Sequence, residues 1–569
     1  MSIVKQCIQC SEKFEVTDYD LAFLDKISPS FSGKKYLIPE PNLCAQCRQQ
    51  QRISWRKERN LYYRTCSNSN KKILSMYPQE AKFPVFDNDI WWGDSWSALD
   101  YGRDFDFSRP FFDQLMELRD QVPHFALAIA KTTMQNSDFC NQAGYLKDCY
   151  LIFNSDNSER CLYGKGVNRC FDCLDCYKTY ECEACYECMN CYNCKFAVYL
   201  WDSQNSSESS FCSNLIGCSN CFFCTNLQNK KYCFLNKEYS PEEWKKLVDD
   251  IFKNFSLEQI LDKFITFREQ QPHKFMEERN TENCIGNYLM NCRDCEACFD
   301  CEYLEKSKYC FDLKKGDGVS YENYDLSAFG MGVNNCYQGV SFGYNNNHVL
   351  FGVDVWNSFD VYYSILCVNN CKNCFGCVGL KKAEYCILNK QFSKEEYEEL
   401  VPKIIEHMRK DGARPGGQEW GEFFPAKFSP FAYNEVTAQE YFPLSKEEVL
   451  SHGWNWRDED KNEYKSQTVE VPKDVNLADE TICDQILACK ATGKNYKIQK
   501  TELAFYKKMK LPVPEFCPDY RHLRRINLRN PRKLWERNCT KCSKVLQSTF
   551  SPEMKEKIYC GDCYLKVAF

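Results

Sequence analysis

Long apolar runs are missing from this 569-residue chain. No segment approaches 18 consecutive apolar side chains, so a membrane-spanning helix is excluded and no membrane partner is expected. The opening, MSIVKQCIQCSEKF, lacks the apolar stretch of a secretory leader, and the expected compartment is the cytoplasm. Histidine is scarce: His124, His273, His348, His407, His452 and His522 stand apart, none beside a nucleophile or in a metal triad. The sequence therefore predicts no enzyme. A general excess of positive charge is lacking too, since the formal net charge is -6.

Cysteine is what the chain has in quantity, with 40 residues. In a reducing compartment thiols stay unpaired, so these predict metal ligands or small buried side chains rather than disulfides. Cys149, Cys170, Cys191, Cys212 and Cys233 lie 21 residues apart, and Cys140, Cys161, Cys182, Ser203 and Cys224 keep the same step nine residues upstream. Strand-like runs such as CYLIF at 149–153 fall in phase. The predicted fold is mainly β with helices: a parallel β-helix-like solenoid of about 21 residues per coil, three strands and three turns each, with helical insertions and zinc modules at its flanks. The phrase formed by Cys218, Cys221, Cys224 and Cys233 recurs at Cys295, Cys298, Cys301 and Cys310 and again at Cys371, Cys374, Cys377 and Cys386. Ser240, Pro241 and Glu243 announce one helix over 241–270, and Ser393 with Glu396 another over 394–409. The aromatic stretch 90–112 is expected to cap the N-terminal end of the array, its tryptophans serving as core.

Two quartets carry metal-ligand spacing. Cys7, Cys10, Cys44 and Cys47 form two CxxC pairs, and Cys539, Cys542, Cys560 and Cys563 form two more. Four thiolates with no position left for water predict two structural zinc sites. The two ends also align with one another. Cys7 falls on Cys489, Cys10 on Thr492, Cys44 on Cys517 and Cys47 on Tyr520, while Cys66 falls on Cys539 and Ser69 on Cys542. Each copy is thus expected to keep one of two ancestral sites, with Cys483 and His522 as conceivable replacements beside Cys489 and Cys517.

Residues 7–52, with CxxCxxxFxxT closed by CxxCR, resemble bacterial zinc-ribbon or treble-clef domains. The whole chain, with LRNPRKLWERNCTKC at 528–542, is similar to large cysteine-rich CxxC-repeat proteins of candidate-phylum bacteria. That resemblance implies zinc-ribbon modules at both ends and supplies no activity.

The resulting partition is an N-terminal module over 1–77, an aromatic segment over 78–130, solenoid over 131–240 and 281–392, helical pieces over 241–280 and 393–410, a linker over 411–480, and a C-terminal tandem module over 481–569. Charge adds a functional hint. Residues 44–64 carry +5 and residues 517–541 carry +6, leaving -17 for the remainder. Arg48, Arg52, Arg56, Lys57 and Arg59, and Arg521, Arg524, Arg525, Arg529, Arg532 and Lys533, lie near aromatic side chains. This pattern predicts binding of RNA or DNA, with RNA favoured, against a solvated helix face or pairing with the acidic solenoid. The alternatives are a protein-interaction scaffold, and metal storage or an iron–sulfur centre at Cys170, Cys173, Cys176 and Cys182. The sequence does not identify a small-molecule ligand.

Overall fold

A three-residue unit governs the backbone. In the computed structural model, which describes residues 2–179, 186–188, 198–316, 318–328, 330–340, 343, 346–414, 417–458, 464–472 and 474–568, left-handed φ angles recur at every third position, as at Asp148, Leu151, Asn154, Asn157, Arg160 and Tyr163. Each unit holds a bridging residue, a left-handed corner residue and an inward residue. Asparagine and aspartate are frequent at the corners because their short polar side chains tolerate that conformation.

Four such units make one step of a parallel ladder. Tyr150, Phe153, Asp156 and Glu159 bridge to Leu162, Lys165, Asn168 and Phe171, each 12 residues on. The same step pairs Cys221 with Cys233 and Cys374 with Cys386. The expected 21-residue coil with three strands is therefore overturned: the register is 12 residues, with four bridging positions per step. Cys140, Cys149, Cys161 and Cys170 alternate at spacings of 9 and 12, both multiples of three, and 21 is only their sum. The ladder of residues 278–387 departs from this step repeatedly: Glu278 pairs with Leu289 11 residues on, Tyr324 with Tyr337 and Val361 with Cys374 13 on, and Lys308 bridges to Tyr324 16 on. Ile285 pairs with Glu296 and Gly286 with Cys298 across a bulge, where a Cβ on Gly286 would lie 1.9 Å from the Cys298 carbonyl oxygen.

The inward position explains the cysteine content. A left-handed corner aims the next N–H and a carbonyl toward the interior, where water is excluded and each must find a partner. Cys161 Sγ donates to Glu159 O (3.3 Å) and Cys170 O (3.5 Å), and Cys298 Sγ to Glu296 O and Ser307 O (both 3.5 Å). Serine serves as well. Ser209 Oγ donates to Ser207 O at 2.9 Å and accepts the Cys221 N–H, 12 residues ahead, at 3.1 Å; Cys212 Sγ likewise accepts the Cys224 N–H at 3.4 Å. Small side chains able both to donate and to accept thus share the interior with aliphatic ones such as Ile152, Val167, Leu200 and Leu215.

The chain divides into two compact units. The first comprises residues 1–127, 276–457 and 532–534; the second comprises 128–275, 458–531 and 535–569. Each contains one ladder, and each ladder ends in the same way. Lys231–Phe234 turns back antiparallel on Lys237–Glu238, and Glu384–Ile387 on Lys390–Gln391. A capped helix follows each hairpin. Pro241–Asn254 has the Ser240/Glu243 capping box and Lys394–Gly412 the Ser393/Glu396 box, as the sequence predicts. The first predicted helix is two, broken where Ser256 caps Leu257–Glu269.

The aromatic segment does not lie where it was expected. In the first unit Phe111 packs edge-on against Tyr363 and Phe375 (both 5.4 Å) and Trp92 stacks on Trp356 (5.9 Å), so the segment covers the last steps of that unit's ladder. Trp91 is wholly buried, in keeping with the core role read from the sequence. Among the described residues no helix is long and apolar enough to cross a membrane.

Candidate metal centres and their arginine clamps

The loop between two short antiparallel strands makes the first half of each centre. In the first unit Ile3–Gln6 pairs with Lys13–Val16, and in the second Trp535–Asn538 pairs with Val545–Ser548. Between them the chain forms a knuckle. Cys7 N–H donates to Glu12 O and Ser11 N–H to Cys7 O, both at 2.9 Å; Cys539 N–H donates to Lys544 O and Ser543 N–H to Cys539 O, again both at 2.9 Å. Ser11 and Ser543 are left-handed, with φ of 62° and 60°.

A helix N-terminus supplies the second half. Cys44 is the N-cap of Ala45–Ile53, and Cys560 directly precedes Gly561–Ala568. In each quartet the four Sγ atoms lie within 4.8 Å of one another. Cys10 and Cys44 Sγ are 3.7 Å apart, and Cys542 and Cys560 Sγ 3.8 Å. A tetrahedral zinc with Zn–S bonds of about 2.3 Å has sulfur–sulfur edges of about 3.8 Å, so the donor set and its spacing fit that ion. The thiols of a quartet share protons unevenly: one is lowered, while burial and neighbouring thiols raise Cys10 and Cys563, and the bond to Cys44 together with burial raises Cys47. The Cys47 thiol donating to Cys44 brings the latter down to about 5. Burial raises Cys539, but the N–H groups of Cys560, Cys542 and Lys541 outweigh it and bring that thiol to about 6. Both quartets predicted from the sequence are thus assembled, and each could hold a metal ion.

Two further knuckles repeat the backbone geometry without the full ligand set. Cys66 N–H donates to Lys71 O (2.8 Å) and Asn70 N–H to Cys66 O (3.0 Å); Cys489 N–H donates to Lys494 O (2.9 Å) and Gly493 N–H to Cys489 O (2.8 Å). Their helix halves survive as well. Asp87 caps Asn88–Trp92, and Cys517 caps Pro518–Asn527. The Asp87 N–H points at Cys66 Sγ (3.3 Å) as the Cys560 N–H points at Cys539 Sγ (3.4 Å). The alignment of the two ends is therefore a physical repeat of four knuckle-and-helix pairs, two with four thiols and two depleted. Cys483 and His522 do not join Cys489 and Cys517 in a metal-competent group.

The ladder cysteines proposed for an iron–sulfur centre are differently engaged. Cys170, Cys173 and Cys176 Sγ donate to the carbonyls of Asn168, Phe171 and Leu174 at 3.2–3.3 Å. Cys182 lies outside the described residues. Among the described residues only the two terminal quartets bring three or more metal-ligating side chains together.

Most cations expected to meet phosphate are turned inward. Arg48 Nε and Arg52 Nη1 reach the two carboxylate oxygens of Asp325 at 2.5 and 3.1 Å, and all three side chains are buried. The second unit repeats this with Arg521 Nε and Arg525 Nη1 on Asp175, at 2.8 and 3.1 Å. Even the backbone contact is copied: Arg48 donates to Leu43 O and Arg521 to Phe516 O, in each case the residue before the helix-capping cysteine. Asp175 and Asp325 are both left-handed ladder corners. Arg524 pairs with Glu187 (2.6 Å) and Arg532 with Asp300 and Asp312 (2.8 and 2.9 Å), again corner residues. Arg56 pairs with Glu58 and Lys57 with Glu435, and burial brings the Lys57 ammonium down to about 8. Arg59, Arg529 and Lys533 are half-buried, Arg529 over the Tyr177 ring and Lys533 near Glu12. None of the eleven is fully exposed.

No protein-family model, curated protein or solved structure matches this chain.

Proposed function

We propose that the protein is a non-enzymatic scaffold. In this reading two zinc ions, one in each four-cysteine quartet, hold treble-clef-like modules rigid, arginine clamps lock them to solenoids of 12-residue coils, and the solenoid faces receive another protein. The observation that carries it is the engagement of Arg48, Arg52, Arg521 and Arg525 with buried ladder carboxylates. A guanidinium already bonded to a carboxylate inside the protein offers little to phosphate, and the cost of stripping it away opposes such a switch. Internal pairing with acidic ladder corners thus explains the charge of the basic windows without a nucleic acid. Closed four-thiol sites favour a structural metal over a catalytic one.

Affinity capture with the full chain after nuclease treatment, paired with RNA filter binding over a salt series, tests this reading. A specific protein retained after nuclease, with weak RNA binding, is expected. Nanomolar RNA binding that collapses steeply with salt would overturn it. Metal analysis belongs to the same experiment: two zinc ions per chain and a colourless sample are expected, and a brown sample or many metals would return the ladder cysteines to a metal role.

A further inference from the structure

We propose that a cavity of about 430 Å³ beside the first metal quartet binds an organic cation, an ammonium or guanidinium group on an apolar stem. The cavity lies within the first unit, between the Pro39–Leu43 stretch that leads into Cys44, the Gln418–Phe423 stretch and the ladder residues Tyr337 and Gln338, with His452 and Trp454 at its side. This volume suits a small ligand or a single long side chain.

Its polar atoms ask for a donor. Gln338 is 3% exposed; its Nε2 donates to Gly421 O at 3.3 Å, while Oε1 accepts from no group among the described residues. Buried amide oxygens are rarely left in that state, so one facing a cavity marks a place for an incoming donor. Three carboxylates line the same cavity, Glu40, Glu419 and Glu422, of which Glu40 is paired with Lys5 at 3.6 Å. Glu422 accepts from the Glu419 N–H at 3.2 Å and from the Asn42 side chain, and neither Glu419 nor Glu422 has a cationic partner within ion-pair distance among the described residues. Burial, with Glu419 alongside, pushes the Glu422 carboxyl above its usual range, a penalty that a bound cation would relieve. Nearby cations do not fill this role. Arg48 is held by Asp325, and Lys427 lies exposed over the Phe428 ring. The walls suit the stem of such a ligand. His452 and Trp454 stack at 4.6 Å, and Pro39 and Phe423 complete an apolar lining, so the cation would meet aromatic faces and carboxylates together.

The cation's source is either a free amine or the Lys or Arg side chain of a partner. In the second case the cavity deepens the scaffold reading by naming what the partner must present. Titration of the zinc-loaded full chain, followed by calorimetry and Trp fluorescence, separates these sources. The probes are agmatine, Nα-acetyl-arginine amide, its uncharged citrulline analogue, and calcium chloride. Saturable binding of agmatine is expected, with Glu422→Gln weakening it about tenfold and Gln338→Leu severalfold at unchanged zinc content. Binding of the blocked arginine as well assigns the site to a peptide side chain, and agmatine alone assigns it to a free amine. No agmatine binding up to about 10 mM, equal binding of the citrulline analogue, or binding of calcium alone would each overturn the proposal. The scaffold reading survives such a failure if a protein partner is still captured.

Discussion

A corner aspartate on these ladders does two things at once: its short side chain eases a left-handed backbone, and its carboxylate is aimed away from the interior toward whatever packs on the corner. Asp325 and Asp175 each meet two arginines there, and because all of these side chains are buried, the pairing is decided by desolvation more than by Coulomb attraction. Removing the carboxylate charge strands two guanidinium groups without water. Asp325→Asn and Asp175→Asn should therefore each destabilise the protein by roughly 3–5 kcal/mol, read as a lower denaturant midpoint. Shifts below about 1 kcal/mol would mean that the arginines find other acceptors. Sequence offers this pairing only as an alternative, because a cluster of arginines looks the same whether its acids belong to the same chain or to a phosphate backbone. A signal for the corners does exist in the Asn-Cys and Asp-Cys dipeptides, as at Asp148, Asp172, Asp175, Asn220, Asn291, Asp294 and Asn373. Each places the corner residue directly before the inward thiol.

The knuckles sit at the scale of the element, and here sequence spacing was a reliable guide. CxxC brings two sulfurs to one point through a tight turn whose hydrogen bonds are local, so no distant contact is needed to read it. The alignment of the two ends was legible for the same reason. The ladders were harder, because a step built from three-residue corners has neither the 3.6 period of a helix nor the 2.0 period of a strand. Inward serines and leucines interrupt the cysteine signal, leaving a conspicuous 21 in place of 12. The depleted knuckle at Cys489 offers an element-level test. Thr492 Oγ1 lies 4.0 Å from Cys517 Sγ, close to the 3.7 Å that separates Cys10 from Cys44, so the turn still presents its second position to the site. Tyr520 occupies the fourth position and rests against Phe516. The double substitution Thr492→Cys and Tyr520→Cys should complete a tetrahedral set and raise bound zinc from two ions per chain to three, measured by metal analysis of the purified protein. A folded variant that still holds two would show that the helix and knuckle no longer approach closely enough.

Across the molecule, thiols divide by environment rather than by position in the chain. Cys10 and Cys542 are exposed, yet each belongs to a quartet suited to zinc; Cys284 and Cys483 are half-exposed outside those quartets; every other described cysteine is buried. The buried ladder thiols share hydrogen bonds with carbonyls in a water-free interior, and burial raises several of them, including Cys140, which reaches about 12. In others, such as Cys161 and Cys298, burial is outweighed by hydrogen bonds from neighbouring thiols, which bring them well down, so inaccessibility is what holds the ladder class inert in the folded state. A chromogenic disulfide reagent should therefore titrate few thiols in the zinc-loaded native protein, Cys284 and Cys483 foremost. A chelator should add a second class from the two terminal quartets, and denaturant should release the remainder together. The order of release is the discriminating feature. If the ladder cysteines reacted before the chelator acted, their interior would be open to solvent and the paired inward N–H and carbonyl groups would be bonded to water instead. If the chelator released most of the forty thiols at once, the metal centres and ladders would be one cooperative system in which zinc holds the whole fold.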